Sequence, residues 1–147
     1  MQKNKVFGSV AGLLGGLLVL ALSSVALVSG ALAQATAGLT ASEVVAAHGF
    51  VHGRAVDPAT SFTHADSRIY IAITVENNTG AEGEITVQFQ RADQPVGTGV
   101  GSTHLTIPAQ RHYHTVARTG ARAGQWRAVV RDSGGTVIGQ VEFTVTE

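Results

Sequence analysis

Residues 68–77 place Ile69, Ile71, Ile73 and Val75 at every second position, with Tyr70, Ala72 and Thr74 between them. Side chains of a strand alternate between two faces, whereas a helix repeats about every 3.6 residues, so this spacing predicts an extended strand with one buried face. A second run, 84–90, sets Ile85, Val87 and Phe89 against Glu84, Thr86, Gln88 and Gln90, the inward and outward pattern of a half-exposed antiparallel strand. Between the two, Asn77-Asn78-Thr79-Gly80 tolerates left-handed backbone. The pair is expected to form a hairpin.

The same alternation continues. Gly97, Gly99 and Gly101 predict a loop, after which Leu105 and Ile107 resume the pattern and Pro108 closes the strand. Residues 111–118 are another extended stretch, and 125–132 put Trp126, Ala128 and Val130 on one face. Ser133-Gly134-Gly135 is a hairpin turn, followed by a strand with Val141, Phe143 and Val145 inward. An earlier pair, 44–52 and 54–57, completes about seven strands, and no stretch has a helical period. Seven short strands with turns of varied length in residues 43–147 predict an all-β, immunoglobulin-like antiparallel sandwich.

The first third differs in kind. Lys3 and Lys5 are the only lysines of the 147 residues, and 6–33 carry no ionisable side chain. This is a positive segment followed by an apolar one, ending in Ala31-Leu32-Ala33, small residues of the type a signal peptidase reads. Cleavage there leaves 114 residues starting at Gln34, of which 34–42 read as a flexible lead-in. The apolar run is 28 residues long, enough to span a bilayer, and Gly8, Gly12 and Gly16 give a helix one bare face for packing on another helix. Residues 1–33 are therefore either a signal peptide or a retained membrane anchor. The lysines keep the N-terminus in the cytoplasm in both cases, so the domain is expected to be periplasmic or secreted, or anchored to the inner membrane and exposed outside the cytoplasm.

After Ala33 eight arginines face ten carboxylates, a net charge of −2 with neutral histidines. Nucleic-acid binding needs a dense cationic surface, and this balance argues against it. Cysteine is absent, which excludes disulfides, thiol chemistry and cysteine-ligated zinc.

All six histidines fall after the apolar segment, which raises metal binding. His112 and His114, two apart in an extended segment, point to the same side, and His48 and His52 share a face of the first strand around Phe50. Were those strands adjacent, four nitrogens would converge on copper or zinc. The simpler expectation is rim histidines in a lysine-poor chain, with no metal or other cofactor. His64 and His104 lie in or near loops. Catalysis has less support. Gly99-Val100-Gly101-Ser102-Thr103 lacks the nucleophile-elbow spacing, and Glu82 with Glu84 stand beside a turn where solvation explains them. The glycine-rich 97–101 lacks the lysine and helix that a phosphate loop requires. No enzyme is expected. Arg111, Arg118, Arg122, Arg127 and Arg131 could form a patch for anionic glycans, lipid head groups or an acidic protein, although alternation by itself places Arg127 and Arg131 outward.

The stretch Gly124-Gln125-Trp126-Arg127-Ala128-Val129-Val130-Arg131-Asp132-Ser133-Gly134-Gly135, with Val141-Glu142-Phe143-Thr144-Val145, carries a G-x-W-x-x-x-V-x-D-x-x-G to F-x-V pattern. It resembles a family of bacterial exported Ig-like domains of unknown function. The hairpin is also similar to the C-terminus of periplasmic copper-carrier sandwich proteins. That resemblance implies copper held through a histidine at the mature N-terminus, where this chain has Gln34. The expectation is thus a non-enzymatic extracytoplasmic module acting through contacts with an unidentified protein partner, with an accessory subunit of a membrane complex as one form of it and the copper or zinc binder as the alternative.

Overall fold

The computed structural model describes residues 38–95 and 97–147. The expected signal or anchor segment, 1–33, lies outside the described residues, as do 34–37 of the lead-in. Nine strands follow one another: β1 (Leu39–Val51), β2 (Arg54–Pro58), β3 (Ser61–Thr63), β4 (Arg68–Asn77), β5 (Gly83–Arg91), β6 (Gly99–Ile107), β7 (His112–Gly120), β8 (Gly124–Asp132) and β9 (Val137–Thr146). They form a β-sandwich of two sheets, ordered β2-β1-β4-β7 (sheet A) and β3-β9-β8-β5-β6 (sheet B). Every pairing is antiparallel except β3 with β9.

The inward face of β4 presents Ile69, Ile71, Ile73 and Val75 to Ile85, Val87 and Phe89 of β5, with Trp126, Ala128 and Val130 of β8 and Phe143 and Val145 of β9. All are buried, and each large side chain removed from water contributes roughly 1.5–3 kcal/mol. Alternation therefore identified the core strands correctly.

It did not identify their partners. The hairpin expected between 68–77 and 84–90 does not form, because β4 belongs to sheet A and β5 to sheet B. Two strands with one apolar face each can lie side by side or face each other across a core, and the pattern alone is the same. Here the link crosses the sandwich, held by buried Asn77. Its Nδ2 donates to the carbonyls of Ala81 (2.7 Å) and Pro108 (3.0 Å), and its Oδ1 accepts from the Thr79 N–H (3.0 Å) and hydroxyl (2.6 Å).

Four further expectations are corrected. The described residues form nine strands rather than about seven, and the one that no expected segment covers is β3, whose three residues are too few to show a period. Strand β1 starts at Leu39, inside the expected lead-in, because the Leu39 side chain is buried over Gly83, where a Cβ would stand 2.9 Å from Leu39 Cδ1. Gly99 and Gly101 belong to β6 rather than to a loop, paired with Gln90 and Phe89. Gln90 is buried rather than outward, since its Oε1 accepts the Gly97 N–H (2.9 Å) from the loop that folds over it.

The β1–β2 hairpin turns through His52 (φ 49°) and Gly53 (φ 77°), both left-handed, as a two-residue turn of this hand requires. It folds back over the outer face of sheet A. Ala47 and Ala72, which point away from the core, are consequently buried.

Candidate functional site

The four histidines that would have formed a metal site are not brought together. β1 and β7 pair with opposite edges of β4, so a whole strand separates His48 from His112 and His114, and His52 leaves the strand face by entering the turn. Among the described residues no group of three or more His, Asp or Glu is placed to hold a metal ion.

Four of the six, His48, His64, His104 and His114, have hydrogen-bonding partners of their own instead. His48 Nδ1 lies 3.1 Å from Asp66 Oδ1 and its Nε2 3.9 Å from Asp57 Oδ2. Its ring rests 4.7 Å from that of Phe62 on β3, which meets Phe143 edge-on at 5.9 Å. The Thr63 backbone N–H, donating to Asp66 Oδ2 at 2.6 Å, holds the Asp66 carboxyl below the usual aspartate range, assisted by the Thr63 hydroxyl and by His48. His64 donates from Nδ1 to the Ala121 carbonyl (3.1 Å), and His104 Nδ1 lies within 3.2 Å of Glu84 and 3.1 Å of Thr86. His112 is exposed, opposite Glu76.

His114 joins a row that crosses three strands. Glu43, Thr74 and His114 stand opposite one another in register; the Thr74 hydroxyl donates to Glu43 Oε2 at 3.4 Å and lies 3.1 Å from His114 Nδ1. The row is one wall of a cavity of about 300 Å³ under the folded hairpin, with Phe50 and Arg54 opposite. The carboxylate reaches the hydroxyl and not the imidazole, which is not the order that a nucleophile–base–orienter relay needs.

The other feature is one flank of the sandwich. β2 and β7 are the edges of sheet A, β3 and β6 those of sheet B. β2 is five residues long, has left-handed Asp57 (φ 51°) and ends in Pro58, while β3 has three residues. Such features blunt an edge. β6 and β7 have nine residues each and contain neither lysine nor proline. They run along the same flank.

A groove of about 300 Å³ lies between them, lined by Val100, Gly101, Arg118, Gly120, Arg122 and Trp126 among others. On the β6 side it is left open by a missing side chain. Gly101 stands opposite Phe89 on the inward side of β6, and a Cβ there, or on Gly120, would meet nothing within 4 Å. Trp126 floors the groove, its indole N–H donating to the Arg122 carbonyl (2.7 Å) and its ring stacked with the Arg91 guanidinium at 5.0 Å. Arg118 lies 5.6 Å over Tyr70. Arg127 is ion-paired with Glu142 at 2.9 Å, whereas Arg118 and Arg122 form no ion pair among the described residues. The arginine clustering was visible in the sequence. The groove was not, because 97–101 read as a loop and an inward glycine gives no apolar signal.

Residues 82–145, from the start of β5 to β9, match a family described as "Protein of unknown function (DUF2914)". No curated protein matches. Among solved structures, β-glucosidase 3B from Thermotoga neapolitana in complex with glucose is 11% identical, with a TM-score of 0.49 over 76% of this chain and 16% of that one. The Pseudomonas fluorescens alkylpurine DNA glycosylase AlkC bound to DNA containing an abasic site analogue is 13% identical, with a TM-score of 0.48 over 76% of this chain and 31% of that one. β-Glucosidase from Kluyveromyces marxianus is 16% identical, with a TM-score of 0.44 over 75% and 14%. The chain spans less than a third of the length of each.

Proposed function

We propose that this chain is a non-enzymatic, Ig-like sandwich module that works outside the cytoplasm by contact with another protein, without a bound cofactor. The observation that carries the reading is the β6–β7 flank: two nine-residue edges side by side, without the shortness, left-handed residue or proline seen at β2 and β3, and with β6 bulged only at Val100 and regular from Gly101 to Ile107. A long unprotected edge offers unpaired N–H and C=O groups to an incoming strand. The lysine-flanked apolar segment 6–33 supports export and, if retained, attachment to the membrane.

The test is position-resolved photo-crosslinking in the native host, with a photoreactive residue at Val100 on β6 or at Val56 on β2, both exposed. An adduct with a separate polypeptide from position 100 and not from 56 supports the reading. Adducts from neither position overturn it. The intact mass of the same preparation tells a chain lacking 1–33 from the full-length chain.

A further inference from the structure

We infer that the groove between β6 and β7 is a docking site for an extended, carboxylate-bearing segment of a different protein, which adds a strand to sheet B at β6 and places acidic side chains on Arg118 and Arg122. The inference rests on the protein-contact reading and specifies its partner.

Charge selects the occupant. Arg118 and Arg122 line the groove without an ion pair among the described residues, beside the apolar floor of Trp126 and Phe89. Guanidinium groups with open donors bind carboxylates in a planar fork, and a strand added to an edge gains main-chain hydrogen bonds while its alternate side chains set specificity. A second copy of this chain does not fit. Neither β6 (GVGSTHLTI) nor β7 (HYHTVARTG) contains a carboxylate, so a copy joined along this flank would offer Arg118 and Arg122 no acidic partner. The N-terminal segment does not fit either. Glu43 is the first carboxylate of the sequence, and everything before it carries only Lys3 and Lys5 as charged side chains. The acidic strand therefore comes from another chain.

The inward glycine is the second mark of a built groove. Gly101 has a φ that other residues adopt and open space around its missing Cβ, so nothing in its own conformation demands glycine. A larger side chain would fill the volume next to Trp126 that an incoming side chain would use.

The test uses the full chain in mild detergent, titrated with a blocked nine-residue peptide alternating Glu with Val, and with its Gln counterpart. Trp126, the single tryptophan, reports binding by fluorescence. The Glu peptide is expected to saturate, and the Gln peptide to bind at least about tenfold more weakly. Replacing Arg118→Gln and Arg122→Gln together should bring the Glu peptide down to the affinity of the Gln peptide. Gly101→Val should abolish binding of both while the melting temperature stays at or above that of the parent, which separates a blocked groove from a damaged fold. Equal binding of the two peptides overturns the acidic partner while leaving the protein-contact reading in place. So does an equal response to a sulfated polysaccharide at matched charge, which reassigns the arginines to glycans. Absence of binding by either peptide also overturns the inference, whereas the broader reading falls only with the crosslinks.

Discussion

Asn77 Nδ2 donates to the Pro108 carbonyl at 3.0 Å, tying the end of β4 in sheet A to the exit of β6 in sheet B. The same amide serves Ala81 and Thr79, so one side chain satisfies the backbone of the crossover from several directions. Asn77→Ala removes a buried side chain together with its four hydrogen bonds and is expected to cost about 1–3 kcal/mol. Urea unfolding measures it: the midpoint should fall with the slope unchanged. A midpoint equal to the parent's would show that the crossover is held by other contacts.

Two glycines should respond oppositely to the same replacement. A Cβ on Gly139 of β9 would stand 2.7 Å from Val44 Cγ2 and 3.0 Å from Ala41 Cβ, where β1 crosses β9. Gly139→Val is expected to destabilise by about 1–3 kcal/mol through overpacking. Gly101→Val meets open space and gains strand propensity, so its stability should match or exceed the parent's. Thermal melts of the two variants side by side decide the matter; a large loss in Gly101→Val would mean that the groove closes in solution.

Asp66 makes stability depend on acid. Its pKa is lowered in the folded chain, mainly by the Thr63 N–H, so its contribution is present above the unfolded-state value of about 3.9 and is lost as pH falls from there through the folded value. Asp66→Asn should therefore melt below the parent at pH 6, with the gap narrowing as the pH is taken below 4. A gap that is constant over this range would remove the carboxylate's charge from the account.

The histidine geometry predicts the outcome of a metal titration. β4 separates β1 from β7, so His48→Ala should leave any copper or zinc affinity that His112 and His114 provide unchanged within about twofold, since sites without shared partners act independently. Calorimetry on the parent, His48→Ala and His112→Ala tests this. Loss of affinity in both variants would require His48 to reach His112 across β4.

The strands that form the core were legible because Ile69 to Val75 and Ile85 to Phe89 pay no attention to partners: alternation depends only on which face is dry. Their pairing was not, since it depends on what Asn77 holds, and four hydrogen bonds from one amide leave no periodic trace. β3 was missed for another reason. Phe62 is its one buried residue, flanked by exposed Ser61 and Thr63, and three residues cannot be told from a turn. The candidate site was half legible. Arg118 and Arg122 stood out by count, but the groove beside them is left open by Gly101, and an absent side chain in a strand looks the same in sequence as a loop.

β9, the last strand, is interior to sheet B, between β8 and β3, and β3 has no other neighbour in that sheet. Ser61–Thr63 therefore waits for residues 144–146, more than eighty positions later in the chain. Contacts so distant in sequence close slowly and late. Everything from β3 through β9 must be made before the sandwich can shut: the edge strand has no partner in its sheet until residues 144–146 arrive beside it.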